Sequence, residues 1–147
     1  MKFLKTKNQY KASNVLLDLN NEIATSYDWW IFLKRINGKL VFNNYRYSPS
    51  TGGHQCKVLK QLDQLGIKVD MFIKSPKGLQ DLNSAISYYE YEISELVNDI
   101  ATTNRRKITR QNQIELIQNY QTKIKNIKKI LPKNKLEIIK QTIEEME

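Results

Sequence analysis

Apolar residues recur along this chain with two different periods. In the first half they form short runs broken by turn formers. "NVLLDL" and "EIATSY" are separated by Asn20-Asn21, and "WWIFLKRI" and "KLVFNNYRY" flank Asn37-Gly38. Such runs predict strands, and Asn-Gly predicts a tight hairpin, because a type I′ turn needs positive φ at both central residues. Val58, Leu62 and Leu65 then stand at i, i+4 and i+7, with Leu59 beside them and Gly66 following. That spacing predicts an amphipathic helix closed by a left-handed cap. "IKVDMFI" alternates Ile67, Val69, Met71 and Ile73, which is the period of a further strand.

From Ser75 onward the period lengthens. Ser75 as N-cap and Pro76 at the first helical position would open a helix in which Leu79, Leu82, Ile86, Tyr89, Ile93, Leu96 and Ile100 recur at threes and fours. Ile114, Ile117, Tyr120, Ile124, Ile127 and Leu131 repeat the pattern across the "TTNRRK" turn as far as Pro132. "NKLE", with Asn134 as N-cap and Glu137 at N3, opens a short last helix through Leu136, Ile139, Ile143 and Met146. The expected fold is α+β. An antiparallel four- to five-stranded sheet with one helix occupies residues 1–75, and a C-terminal helical hairpin with a short third helix occupies 76–147, packed on the sheet as one compact domain.

The Asn37-Gly38 loop also sets a register. Continued along both strands, it places Trp30 opposite Tyr45, Phe32 opposite Asn43 and Lys34 opposite Val41. Trp29, Ile31, Leu33, Leu40 and Phe42 then make the expected core face, leaving Trp30, Phe32, Tyr45 and Tyr47 with Lys34 and Lys39 on a second face. Aromatic rings bordered by lysines suit single-stranded nucleic acid, since every base offers a π-face worth about 1–3 kcal/mol on stacking. The same face would be core if helices covered it, and would equally serve a protein partner.

Charge adds a second candidate surface. The 147 residues hold 24 Lys and Arg against 15 Asp and Glu, a net charge of +9, which permits an acidic partner without naming one. Asp81 to Asp99 carries five carboxylates and no cation, whereas Arg105 to Lys135 carries ten cations and only Glu115. Arg105, Arg106, Lys107, Arg110, Lys125, Lys128 and Lys129 are therefore candidates for binding an acidic partner. Antiparallel packing of the acidic helix on the basic one would instead neutralise them as a solvated face.

Catalytic chemistry finds little support. His54 and Cys56 are the only imidazole and thiol, and their i, i+2 spacing on a helix does not turn them toward each other. No metal set and no cofactor is expected from so few ligands. Gly52 and Gly53 before a helix, with His54, could present amides to an anion, although the spacing and lysine of a Walker loop are missing. A nuclease-like site built from Asp63, Asp70 and Lys74 is the remaining enzymatic reading. One cysteine, an N-terminus "MKFLKTKNQY" without an apolar core, and no membrane-length segment point to a reducing, cytoplasmic setting.

The stretch from Asn14 to Ile86, with the Asn-Gly hairpin, "NNYRYS", "HQ" and "LGI" in that order, resembles a family of small uncharacterised proteins encoded by bacteriophages. The resemblance implies expression in a bacterial host, in the size class of host-takeover factors and inhibitors of bacterial defence; it transfers no catalytic residue. The expected function is thus a non-catalytic binding protein acting on nucleic acid or on a nucleic-acid-handling host complex. Direct single-stranded nucleic-acid binding without an inhibitory role, and a small phage enzyme, are the alternatives. The expected partners are a host protein, a nucleoprotein complex or nucleic acid, with no membrane, for a monomer or homodimer.

Overall fold

The computed structural model describes residues 4–6, 9–12, 14–131 and 142–146. One sheet is built in chain order from seven strands: β1 (Leu4–Thr6), β2 (Gln9–Ala12), β3 (Val15–Asp18), β4 (Ile23–Ser26), β5 (Trp30–Ile36), β6 (Lys39–Asn43) and β7 (Met71–Ile73). Neighbours pair antiparallel from β1 through β6, and β7 joins β6 parallel after a crossover through helix α1 (Pro49–Gln64). Helices α2 (Leu82–Thr102) and α3 (Lys107–Ile130) form the expected hairpin, and residues 142–146 are helical. The α+β class stands, with more strands than four or five. The additional β1 and β2 lie in "LKTKNQYKA", where lysines interrupt any apolar run and backbone pairing makes the strands. The expected N-cap at Asn134, with Leu136 and Ile139, lies outside the described residues.

The Asn37-Gly38 turn has φ of 49° and 82°, and it pairs Ile36 with Lys39, Arg35 with Leu40, Lys34 with Val41 and Leu33 with Phe42. Past Leu33 the expected register stops. Ala24 faces Leu33 and Thr25 faces Ile31, so β5 carries Phe32 as an extra residue in a bulge. The bulge turns Phe32 to the same side as Leu33 and shifts every residue before it. Trp30, Phe32, Leu33, Leu40 and Phe42 therefore form one core with Val58 and Leu62 of α1. Ile31 goes to the opposite side, where Ile36, Val41 and Ile73 pack beneath Leu82, Ala85 and Tyr89 of α2 and Ile127 and Ile130 of α3. The sheet is covered on both faces.

Along the N-terminal end of β5 the loop before α2 takes the place that β6 leaves. Leu79 N–H donates to Ile31 O at 2.8 Å, and Ile31 N–H donates to Gln80 Oε1 at 3.1 Å. Gln80 Nε2 donates to Trp29 O at 2.9 Å, and Trp30 Nε1 to Pro76 O at 3.1 Å. This loop replaces the helix start expected at Ser75-Pro76. Gly78 sits at φ of 86°, which no α-helix contains, and Ser75 Oγ turns inward to Gly78 O and Ser84 Oγ at 2.8 and 2.9 Å. α2 consequently begins six residues later than Pro76, at Leu82.

Candidate functional site

The expected aromatic face is dispersed by the bulge. Trp30 and Phe32 are 1% and 0% exposed and belong to the core. Tyr45 is half-buried against Tyr88 of α2, ring centroids 5.8 Å apart. Lys34 lines a groove of about 440 Å³ with residues of the Leu79–Asn83 segment, and Lys39 stands exposed at the hairpin tip. Of the four aromatics only Tyr47, 53% exposed, remains a surface residue.

A different aromatic patch forms where the β4–β5 loop meets the approach to α1. Trp29, expected in the core, is 50% exposed and meets Tyr47 edge-on at 5.7 Å. Tyr47 in turn leans on the buried Trp30 at 5.9 Å, so an exposed ring rests on a fixed one. Tyr27 adds a third exposed ring, 5.4 Å from the His54 imidazole. The loop carries Tyr27 and Asp28 at φ of 55° and 64°, a left-handed conformation that side chains other than Gly, Asn and Asp seldom take. Tyr27 N–H donates to Asn14 O at 2.7 Å, which helps hold that backbone. The signal for this patch in the sequence was the pair Tyr27 and Trp29 flanking a turn; the assumed unbroken alternation of β5 hid it.

His54 lies beside this patch, with Nδ1 2.7 Å from Ser26 Oγ. Burial first, and Lys57 second, lower its pKa below the ordinary histidine value, so the ring is neutral at pH 7. Ser26 is fully buried, so a substrate cannot reach its hydroxyl, and no carboxylate among the described residues bonds the other ring nitrogen. The pair thus lacks the third member of a catalytic triad.

The anion site expected at Gly52, Gly53 and His54 is not formed at a free helix end. α1 begins earlier: Ser48 caps it through Oγ, accepting from Thr51 N–H at 3.1 Å, and Pro49 occupies the first position. The glycines fall inside the helix, and the Gly52 amide is consumed by Ser48 O at 2.9 Å. Gly52 has another role. A Cβ there would come within 3.2 Å of Arg46 Nη1, which donates to Gly52 O at 3.0 Å and Gln55 Oε1 at 2.9 Å.

Gln55 leads into a buried polar network that ties three elements together. Its Nε2 donates to the carbonyls of Asn43 and Tyr45, while the Asn43 amide receives Ser75 N–H at 2.9 Å and donates to Ser75 O at 2.8 Å. "NNYRYS" and "HQ" thus supply hydrogen bonds that pin α1 and the β7–α2 loop to the end of β6.

The basic run divides into two groups. Arg105 forks onto Asp99 at 2.8 and 3.0 Å, and with Gln113 it holds that carboxyl well below the usual carboxylate range. Arg110 donates to Ile100 O and Thr103 O, closing the α2–α3 turn. These two arginines are structural. Arg106 caps α3, Lys107 begins it, and both are exposed. Lys125, Lys128 and Lys129 are exposed along the last turns of α3 and line a shallow groove of about 630 Å³ with Gln121 and Ile124. Arg105–Asp99, from the turn to α2, is the one ion pair within the hairpin among the described residues, so α2 does not neutralise this lysine ridge. Asn37 Nδ2 donates to Lys129 O at 3.4 Å, which brings the hairpin tip bearing Lys39 to the ridge. The ridge and the aromatic patch therefore stand at opposite ends of β5, about 20 Å apart.

The proposed nuclease set has no support in the geometry: Asp70 Oδ2 accepts from Leu40 N–H at 2.8 Å and lies 3.9 Å from Arg35, which commits it to the sheet. No group of three or more His, Cys, Asp or Glu among the described residues could hold a metal ion, and no described helix is long and apolar enough to cross a membrane. Comparison of the chain with models of protein families, with curated proteins and with solved structures finds no match.

Proposed function

We propose that the protein is a non-catalytic binding protein that acts on nucleic acid, directly or within a nucleic-acid-handling host complex such as a bacterial defence assembly. The observation that carries this reading is the lysine ridge Lys125, Lys128 and Lys129, left without carboxylate partners among the described residues on a chain of net charge +9. Exposed ion pairs contribute only about 0–1 kcal/mol, so an unpaired cluster serves a partner better than it serves stability. Phosphate is the acidic partner that such a ridge fits, and the Tyr27–Trp29–Tyr47 patch offers rings on which unpaired bases stack. The resemblance to bacteriophage proteins sets this binding in an infected bacterium.

The test is fluorescence anisotropy of labelled single-stranded and duplex oligonucleotides over a salt series. Single strands should bind more tightly, with affinity falling steeply with salt. Reversing Lys125, Lys128 and Lys129 to Glu should lower the log–log salt slope by about 2. Absence of binding to either oligonucleotide at low salt removes direct recognition. Capture of a host protein free of nucleic acid would then point to the same surfaces serving a protein-directed inhibitor.

A further inference from the structure

The lysine ridge stands about 20 Å from the aromatic patch, so a strand stacked on the patch needs a phosphate contact nearer than the ridge. One lies past the Pro76–Gln80 loop. There Pro76 and Lys77 meet a stripe of α2, Asp81, Ser84, Tyr88 and Tyr91, around a groove of about 460 Å³. That volume falls in the ordinary range of ligand sites, about 300–1,000 Å³. The α2 residues recur at threes and fours and so share one side of the helix. The groove adjoins the patch. Pro76 O accepts from the Trp30 indole on which Tyr47 leans, and Tyr45 meets Tyr88 at 5.8 Å. Its walls are fixed to each other, since Ser84 Oγ accepts from Lys77 N–H at 3.2 Å and donates to Asp81 O at 2.7 Å. The groups that would meet a ligand are unspent. Tyr91 is 60% exposed, Lys77 and Lys74 are exposed, and Lys74 Nζ stands 6.0 Å from the centre of the Tyr88 ring. Asp81 holds the N-cap position of α2, yet its carboxylate makes no capping bond and no ion pair among the described residues. It is the one carboxylate among the residues that line the groove.

We infer that this groove takes one unstacked guanine of a bound single strand. The inference rests on the proposed nucleic-acid reading and adds a base preference to it. Tyr91 offers an exposed ring against which a splayed base packs, and Lys77 and Lys74 supply cations for its phosphate. The carboxylate selects the base. An ionised carboxylate only accepts hydrogen bonds, and guanine alone among the bases carries two adjacent donors on its pairing edge, the ring N–H and the exocyclic amine. Adenine and cytosine set an acceptor beside their amine, and thymine sets its single N–H between two carbonyls that a carboxylate repels. Asp81 likewise disfavours a bare anion as the occupant.

Fluorescence anisotropy at low salt compares a labelled thymine oligonucleotide with the same strand carrying one central guanine. The guanine strand should bind at least about fivefold more tightly. Replacing that guanine by hypoxanthine, which keeps the ring N–H and lacks the amine, should remove most of the gain. Asp81→Asn should bring the guanine and thymine strands to equal affinity with melting unchanged, because the carboxylate caps nothing. Tyr91→Ala, at an exposed position, should shrink the preference as well. Trp29→Ala should weaken both strands by the same factor, which reads the patch apart from the groove. Equal binding of the two strands by the native chain overturns the inference and leaves the proposed function standing, whereas binding of neither removes direct recognition and the inference with it. A guanine preference that survives both Asp81→Asn and Tyr91→Ala overturns the groove as its seat. Capture of a host protein that both substitutions abolish, without any guanine preference, gives the groove to a peptide and overturns the base.

Discussion

Adjacent tryptophans have opposite fates, and the contrast is measurable. Trp30 is enclosed by Phe32 and Tyr47 and bonded to Pro76 O, so Trp30→Ala should cost about 3–5 kcal/mol in denaturant unfolding. Trp29→Ala should change stability by less than about 1 kcal/mol and weaken oligonucleotide binding by about 1–3 kcal/mol if its ring stacks on a base. Gln55 is the third residue to test. Gln55→Leu would leave the carbonyls of Asn43 and Tyr45 without their donor and should cost about 1–3 kcal/mol. His54 makes stability depend on pH. Its folded pKa lies below the unfolded value of 6.5, so the unfolded chain binds the proton first. The contribution of His54 is full above about pH 6.5 and is lost as pH falls through the folded value. Urea titrations from pH 7.5 downward should show this decline, and His54→Gln should flatten it.

Two elements carry consequences beyond their own residues. The β4–β5 loop holds Tyr27 at a φ of 55°, which glycine adopts without strain. Tyr27→Gly should therefore leave stability unchanged or raise it by up to about 1 kcal/mol, while binding to single strands weakens. A loss of stability instead would show the ring to be structural. At the sheet's edge, Lys123 reaches across from α3 to donate to Phe72 O of β7, and burial lowers its pKa. A half-buried cation bonded from α3 onto the edge strand discourages pairing of that edge with another chain. Lys123→Met should keep the fold in dilute solution and increase aggregation on concentration, as read by light scattering.

On the scale of the whole molecule, a sheet covered on both faces supports an arm with no buried residue from Glu90 to Asn126. Stability follows buried contact, so amide exchange should be slowest in β5, β6 and α1 and faster through the arm. Uniform protection at low concentration would contradict that ranking.

The Asn37-Gly38 hairpin, the α1 stripe ending at Gly66 and the α2–α3 periodicity were readable in advance because each rests on local chemistry: a positive φ, a repeat of 3.6, a cap. Tertiary structure decided which side of β5 is core. Alternation has a period of two only while pairing is regular, and Phe32 breaks it through contacts with β4 and the Pro76–Gln80 loop, residues remote in the chain. From there Trp29 and Trp30 exchanged places, and with them the expected aromatic face. The lysine ridge was visible as composition, yet its lack of partners depended on how α2 and α3 meet. A single extra residue in one strand is invisible to local pattern, because its cost and its compensation both lie in neighbours that only the folded chain brings together.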